Sequence, residues 1–286
     1  MRIDPCDLIR SDVRLATLPS TFTRLTERIN NPRSSLGDIS GIISEDQALS
    51  ARLLRLANSA YFGMPRKVDT ITNALTVIGT QQLQDIVLAT SVMGMFTGIP
   101  ASLISMQEFW RHSLGCGVAG RILATFRREA NIERFFVSGI LHDLGRLIIC
   151  LKLPDQFRRV IELCRTENIM LYEAEQELLG FDHAGLGGLL LEEWKLPTIL
   201  VDGALFHHNP KRSMRFYEET CIAHVSDMIA HAMELGSSGE KSVPPQRDQA
   251  WKNIGLPLSI LCHVVTQTHR QFEAAVEIIC PAACHE

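Results

Sequence analysis

Ten histidines are spread along the 286 residues, and the informative ones lie in the middle of the chain, interleaved with carboxylates. Glu108 and His112 are four apart, which on a helix puts both on one face. His142 and Asp143 are adjacent, within Leu141-His142-Asp143-Leu144-Gly145-Arg146. His183 follows Asp182 at a helix start. His207 and His208 close another helix before Asn209-Pro210, and Asp227 lies three residues after His224. Imidazole and carboxylate together suit Fe, Mn, Ni or Zn, whereas soft-metal chemistry needs cysteine thiolates. Two such ions a few ångströms apart polarise a phosphoryl group and lower the pKa of a bridging water. The short Asp143 suits bridging two ions while His142 binds one. Each element also has a plainer reading. A helical histidine among apolar residues is commonly a hydrogen-bonded core residue. Glu108 and His112 have the spacing of a helical ion pair, and His-Asp dipeptides recur by chance. The order His, His-Asp, His, His-His, Asp on successive helices favours the metal. His224 reads as core or as support for a ligand; His231, His263 and His269 read as surface.

Helices must position these side chains. Apolar residues make up 46% of the chain, charged residues 21% and aromatic residues 6%. That composition is globular and leans helical, and the length suggests one large domain or two of about 150 residues. Apolar residues recur at helical spacing in nearly every segment, and alternating strands are absent. Helices are expected from Pro19-Ser20 to Ile29, over 35–44, after the N-cap Asp46, and after Thr70, with a break at Gly79. Further helices are expected over 105–127, 133–150, 154–168, 171–179, 182–194, 197–208 and 215–235. A polar loop follows over 236–248, then one or two helices from Ile254 to Ile279. The expected architecture is all-α, with an N-terminal helical lobe over 14–104, a histidine-bearing lobe over 105–235, and a loop and helical extension over 236–286. The extension either caps the bundle or offers a dimer surface through Ile254, Leu256, Leu258, Leu261 and Val265.

The net charge of −4 argues against a whole-protein nucleic-acid binder but not against a local basic patch. No apolar run approaches the roughly 18 residues of a membrane span. The first 14 residues carry Arg2, Asp4, Asp7, Arg10, Asp12 and Arg14 and hold no signal-peptide core. Eight cysteines without CxxC pairing suggest neither a disulfide framework nor a zinc ribbon, so a reducing, cytoplasmic setting is expected. Cys280 and Cys284, four apart near the end, are a weak ligand signal.

Two blocks of residues carry a family resemblance. The first is Leu18-Pro19, Asp46-x-x-Leu49, the run from Leu53 to Gly63 and Ala74-Leu75-x-x-Ile78-Gly79. The second is Phe109-Trp110-x-His112-Ser113, Leu141 to Gly145, Phe181 to Gly187, Trp194-x-Leu196-Pro197 and His207 to Pro210. Over residues 14–230 the chain resembles the HDOD proteins, an offshoot of the HD superfamily of metal-dependent phosphohydrolases. The resemblance implies an HDOD-type helical bundle with an HD-like lobe, and a signalling or regulatory role. Measured against the related HD-GYP phosphodiesterases of cyclic di-GMP, Glu108, His112, His142, Asp143, His183, His207, His208 and Asp227 fall on ligand positions. The lysine of His-Asp-x-Gly-Lys is replaced by Arg146, which keeps the charge but not the compact ammonium. Asn209-Pro210-Lys211-Arg212-Ser213 stands where the GYP signature is expected, which argues against cyclic di-GMP hydrolysis and leaves the metal site intact.

Three functions follow as expectations. The first is a metal-binding regulatory module that contacts signalling proteins. The second is a phosphohydrolase of a nucleotide or cyclic dinucleotide, with Asp143 bridging one or two divalent ions and Arg146 on the phosphate. The third is a scaffold with a vestigial site. Neither a membrane nor nucleic acid is an expected partner. Arg52, Arg55, Arg66 and Lys67 flank Asn58 to Gly63 and form either a docking surface for an acidic partner or phosphate, or the surroundings of a helix cap and turn, with Tyr61 and Phe62 as its anchors.

Overall fold

Side-chain caps start many of the helices where the sequence places them. In the computed structural model, which describes residues 4–59, 67–247 and 249–279, Asp46 accepts from Leu49 N, Thr70 from Asn73 N, Ser105 from Glu108 N and Asp182 from Gly185 N. Ser35 and Asp38 cap each other's backbone reciprocally. The helices are α1 (Pro5–Arg10), α2 (Val13–Ala16), α3 (Ser20–Ile29), α4 (Leu36–Ser44), α5 (Gln47–Ala57), α6 (Ile71–Ile78) and α7 (Thr80–Met93). They continue with α8 (Met106–Arg127), α9 (Glu133–Leu141), α10 (Leu144–Lys152), α11 (Pro154–Glu167), α12 (Leu171–Leu179), α13 (His183–Glu193), α14 (Thr198–Phe206), α15 (Tyr217–Ala232), α16 (Ala250–Asn253) and α17 (Leu261–Ile279). The described residues contain no strand, and none of their helices is long and apolar enough to cross a membrane.

One difference from the expected elements matters for function. The helix expected over 133–150 is interrupted, and His142-Asp143 is the interruption. The apolar period runs on through the break, so periodicity alone does not reveal it. At the break His142 Nδ1 donates to the Gly139 carbonyl at 2.7 Å, and Asp143 leaves the helical region at φ −101°, ψ 8°. Both side chains are thereby turned off the helix and into the bundle.

The N-terminal helices α3 to α7 pack on one another, and α7 also packs on α9. A single apolar core runs from Leu25, Ile43 and Leu56 to Phe109, Phe136 and Phe157. The first two helices cross over: α1 packs on α10 and α13, and Trp194 Nε1 donates to the Leu15 carbonyl at 2.7 Å. Helix α17 lies against both α8 and α5, with Val264, Phe272, Ala275 and Val276 buried. Of the apolar set named for a dimer surface, Ile254 is buried, Leu256, Leu261 and Val265 are half-buried and Leu258 is 66% exposed.

Asn58 acts as a clasp. Its side chain donates to the Leu54 and Val68 carbonyls and accepts from Val68 N, each at 2.7 Å. The clasp ties the end of α5 to the chain leading into α6 and supports the structural reading of that block. Tyr61, Phe62, Gly63 and Arg66 lie outside the described residues, as do Cys280 and Cys284.

Candidate metal centre

The long helix α8 is the axis of the site, and α9 crosses it backbone to backbone. A Cβ at Gly139 would lie 2.3 Å from Gly117 N, so only glycine allows this approach. The crossing brings the His112 and His142 rings to 5.6 Å between centroids. Helix α13 meets α10 in the same way. A Cβ at Gly145 would lie 2.0 Å from the His183 carbonyl oxygen. Helix α15 then places Asp227 opposite His112, and the end of α14 adds His207 and His208.

Seven of the eight expected ligand residues come together, joined by Asp143 and Asp227. His112 Nε2 is 3.1 Å from Asp227 Oδ1, and His142 Nε2 is 3.8 Å from the same oxygen. His142 Nε2 lies 3.3 Å from Asp143 Oδ2. On the far side, His183 Nε2 and His207 Nε2 lie 3.1 and 3.7 Å from Asp143 Oδ1, and His208 Nε2 is 2.9 Å from His183 Nε2. The eighth residue, Glu108, sits in the first turn of α8, half-buried, and belongs to none of the convergent groups of ligand atoms.

The orientation and charge of these groups suit a divalent cation. His142 and His207 each spend Nδ1 on a backbone carbonyl at 2.7 Å, Gly139 and Ala204 respectively, which aims Nε2 inward. His142 Nε2, Asp143 Oδ1 and His207 Nε2 are buried without a hydrogen bond. Orphaned acceptors in a dry interior are costly unless something binds them. Burial holds His112 at about 4, against the pull of Asp227. Burial and the neighbouring His142 hold His207 at about 3. Both imidazoles are therefore neutral near pH 7. Burial would protonate Asp143, but Arg146, His142 and His183 outweigh it and keep the carboxylate well below its ordinary range. Asp227 is likewise kept ionised, against its burial, by His231 and His112. His112 and His207 are thus ready for a metal ion, whereas His142 and His183, raised against their burial by Asp143 and by Glu175 with Asp143 respectively, would give up a proton on binding it.

Arg146, expected on a substrate phosphate, is only 2% exposed. Its Nη1 donates to Asp143 Oδ2 at 2.9 Å and to the Ser238 carbonyl and hydroxyl, while Nη2 lies 2.8 Å from His183 Nε2. Ser238 belongs to the loop after α15, which folds back over the site. Gly236 in that loop takes φ +83°, and a Cβ there would lie 2.4 Å from the Glu108 carbonyl oxygen.

Sequence reasoning missed three residues at the site. Cys116 Sγ is 3.4 Å from His112 Nε2. Glu175 is fully buried, and its Oε2 lies 2.5 Å from His183 Nδ1. His231, expected on the surface, instead places Nε2 at 3.3 Å from Asp227 Oδ1, and its ring centroid is 4.3 Å from that of His112. Each had a local signal. Cys116 and His231 stand four residues after His112 and Asp227, and Glu175 falls on the apolar stripe Leu171, Ala174, Leu179 of α12. His224 is buried as expected, with Nδ1 donating to the His207 carbonyl at 2.7 Å. His263 and His269 are exposed.

Known proteins are similar to this chain in sequence and fold. The chain is 28% identical over 193 residues to an uncharacterized protein of Treponema pallidum, a match covering 67% of this chain but only 37% of that protein. A solved structure from Shewanella amazonensis, described as a candidate phosphohydrolase, is 27% identical, with a TM-score of 0.75 over 95% of this chain and 97% of its own. An HDOD domain protein of unknown function from Geobacter sulfurreducens, 23% identical, shares the fold with a TM-score of 0.73 over 98% of this chain and 97% of its own. Residues 15–210 match the HDOD domain, a span that takes in the Asn58 clasp and every site histidine of the motif while stopping short of Asp227. The chain therefore belongs to the HDOD family.

Proposed function

We infer that this chain is a signal-transduction module with a retained HD-like metal site, working in the cytoplasm mainly through contacts with other signalling proteins. The observation that carries this reading is the closure of the site. His112, His142, Asp143, Arg146, His183, His207 and Asp227 are all at most 2% exposed, beneath a loop whose Ser238 is fully buried. A substrate phosphate would have to open that loop and pull Arg146 away from Asp143. The metal, one or two ions of Fe, Mn, Ni or Zn held by the histidines with Asp143 and Asp227, then serves structure or sensing.

A second reading is a metal-dependent phosphohydrolase acting on a nucleotide or cyclic dinucleotide. It draws on the likeness to the Shewanella protein and on the one half-exposed ligand, His208, which stacks on Tyr172 at 4.2 Å. A divalent ion bound there would supply Lewis acidity toward a phosphoryl oxygen. In that reading His207 and His112 stay neutral, and Arg146 would have to exchange Asp143 for the phosphate.

Elemental analysis of protein purified without a chelating tag, beside a His142→Ala, Asp143→Ala variant, tests both. One or two equivalents of metal, lost in the variant, with no turnover of cyclic dinucleotides or nucleoside phosphates, is the expected result. Turnover that disappears with the metal replaces the regulatory reading with the enzymatic one. No metal in either protein leaves a scaffold with a vestigial site.

A further inference from the structure

Beyond the expected histidines and carboxylates, one sulfur lies inside the cluster. Cys116 follows His112 by one turn of α8, which puts both on one helix face. Its side chain is 1% exposed. Its Sγ lies 3.4 Å from His112 Nε2 and 3.9 Å from Asp227 Oδ1. Ligand atoms of His112, Cys116, His142 and Asp227 all lie within 4.8 Å of one another.

These atoms converge on one point, at spacings within a few tenths of an ångström to about 1 Å of those around a bound ion. A tetrahedral ion with bonds of about 2.0–2.3 Å to nitrogen, oxygen and sulfur has ligand-to-ligand edges of roughly 3.3–3.6 Å. The distances here are 3.1 Å from His112 to Asp227 and 3.4 Å from Cys116 to His112, with the longer 3.8 Å from His142 to Asp227 and 3.9 Å from Cys116 to Asp227 closing by a few tenths of an ångström around an ion. An independent observation points to a ligand at the same place: His142 Nε2, in a residue 2% exposed, has no hydrogen-bond partner.

We propose that Cys116 is a thiolate ligand, completing a His112, Cys116, His142, Asp227 site for a thiophilic or borderline divalent ion such as Zn(II), Fe(II) or Co(II). This rests on the reading that the cluster binds metal, and it changes the character of that metal. On binding, the S–H bond breaks, the sulfur pair forms the metal–sulfur bond and the proton leaves to solvent. A thiolate in the set favours zinc or ferrous iron and disfavours manganese, narrowing the range that histidine and carboxylate alone accept.

Cobalt(II) serves as the probe because a thiolate bound to it gives a near-ultraviolet charge-transfer band that nitrogen and oxygen ligands do not. Reduced, metal-free protein and its Cys116→Ser and Cys116→Ala variants are titrated with cobalt. Absorption reads the sulfur bond, equilibrium dialysis reads the bound cobalt, and circular dichroism checks the fold. The expected result is one equivalent bound with the band in the wild type. Both variants should lack the band and bind more weakly by at least the roughly 10–100-fold that even an outer-shell partner contributes. Cobalt bound to the wild type without the band, or a band that survives in both variants, overturns the thiolate assignment and leaves the metal site standing. No cobalt bound by the wild type overturns both.

Discussion

Arg146 Nη1 lies 2.9 Å from Asp143 Oδ2, a buried cation set against the very carboxylate that would bind an ion. Without metal, the guanidinium is the counter-charge of Asp143. Removing one partner of a buried pair leaves an uncompensated charge and costs about 3–5 kcal/mol. Arg146→Met is therefore expected to lower the stability of the metal-free protein by about that amount. Added zinc would restore much of the loss, because the ion takes over the neutralisation. Thermal melts with and without metal check this: the metal-induced rise in Tm should be larger in the variant than in the wild type.

The approach of α10 to α13 depends on Gly145. A Cβ there would meet the His183 carbonyl oxygen at 2.0 Å and Gly187 N at 2.5 Å, both backbone atoms that no rotamer change can move. Gly145→Ala must push the two helices apart. We expect a loss of about 3 kcal/mol in urea unfolding. Weaker metal uptake should accompany it, because His183 rides on the displaced helix. A variant with wild-type stability and uptake would show that the helices slide freely at this crossing.

Asp85 gives the contact between α7 and the segment joining α8 to α9 a pH dependence. It is 8% exposed and accepts from Asn131 Nδ2 at 2.9 Å. Burial pushes its carboxyl up to about 6 despite that bond. A carboxyl raised in the folded state holds its proton more tightly there than in the unfolded chain. Its contribution is complete below about pH 4 and is lost as pH rises through about 6. A rise of about two units corresponds to about 3 kcal/mol. Asp85→Asn should flatten the stability profile between pH 4 and 7 and raise stability at pH 7, as measured by denaturant midpoints across that range.

Glu175 sets the protonation of His183 in the metal-free protein. Burial and the Arg146 charge oppose the imidazolium, yet Glu175 and Asp143 outweigh them and lift His183 to about 9. The stabilisation is complete below about 6.5 and is lost as pH rises through about 9. Glu175→Gln should lower the His183 midpoint, followed by NMR of the imidazole, by more than one unit, and should shrink the loss of stability between pH 6.5 and 9.

Much of this protein is decided by local sequence. The caps at Asp46, Thr70 and Asp182 and the apolar period determine that the chain is helical and where most helices begin, because those preferences act within a few residues. The order of histidines and carboxylates names seven residues that the fold brings together. Tertiary structure decided the rest. The break at His142-Asp143 lies inside an uninterrupted apolar period and becomes visible only when α9 turns away from α10. Glu108 has the right spacing to His112 but stays in the first turn of α8, outside the cluster. Cys116, Glu175 and His231 join the site because α15 packs on α8 and α12 meets α13. Helical periodicity records which face of a helix is buried. Which partner that face meets, and whether a buried cysteine or glutamate meets a histidine there, is settled only when distant helices close on one another.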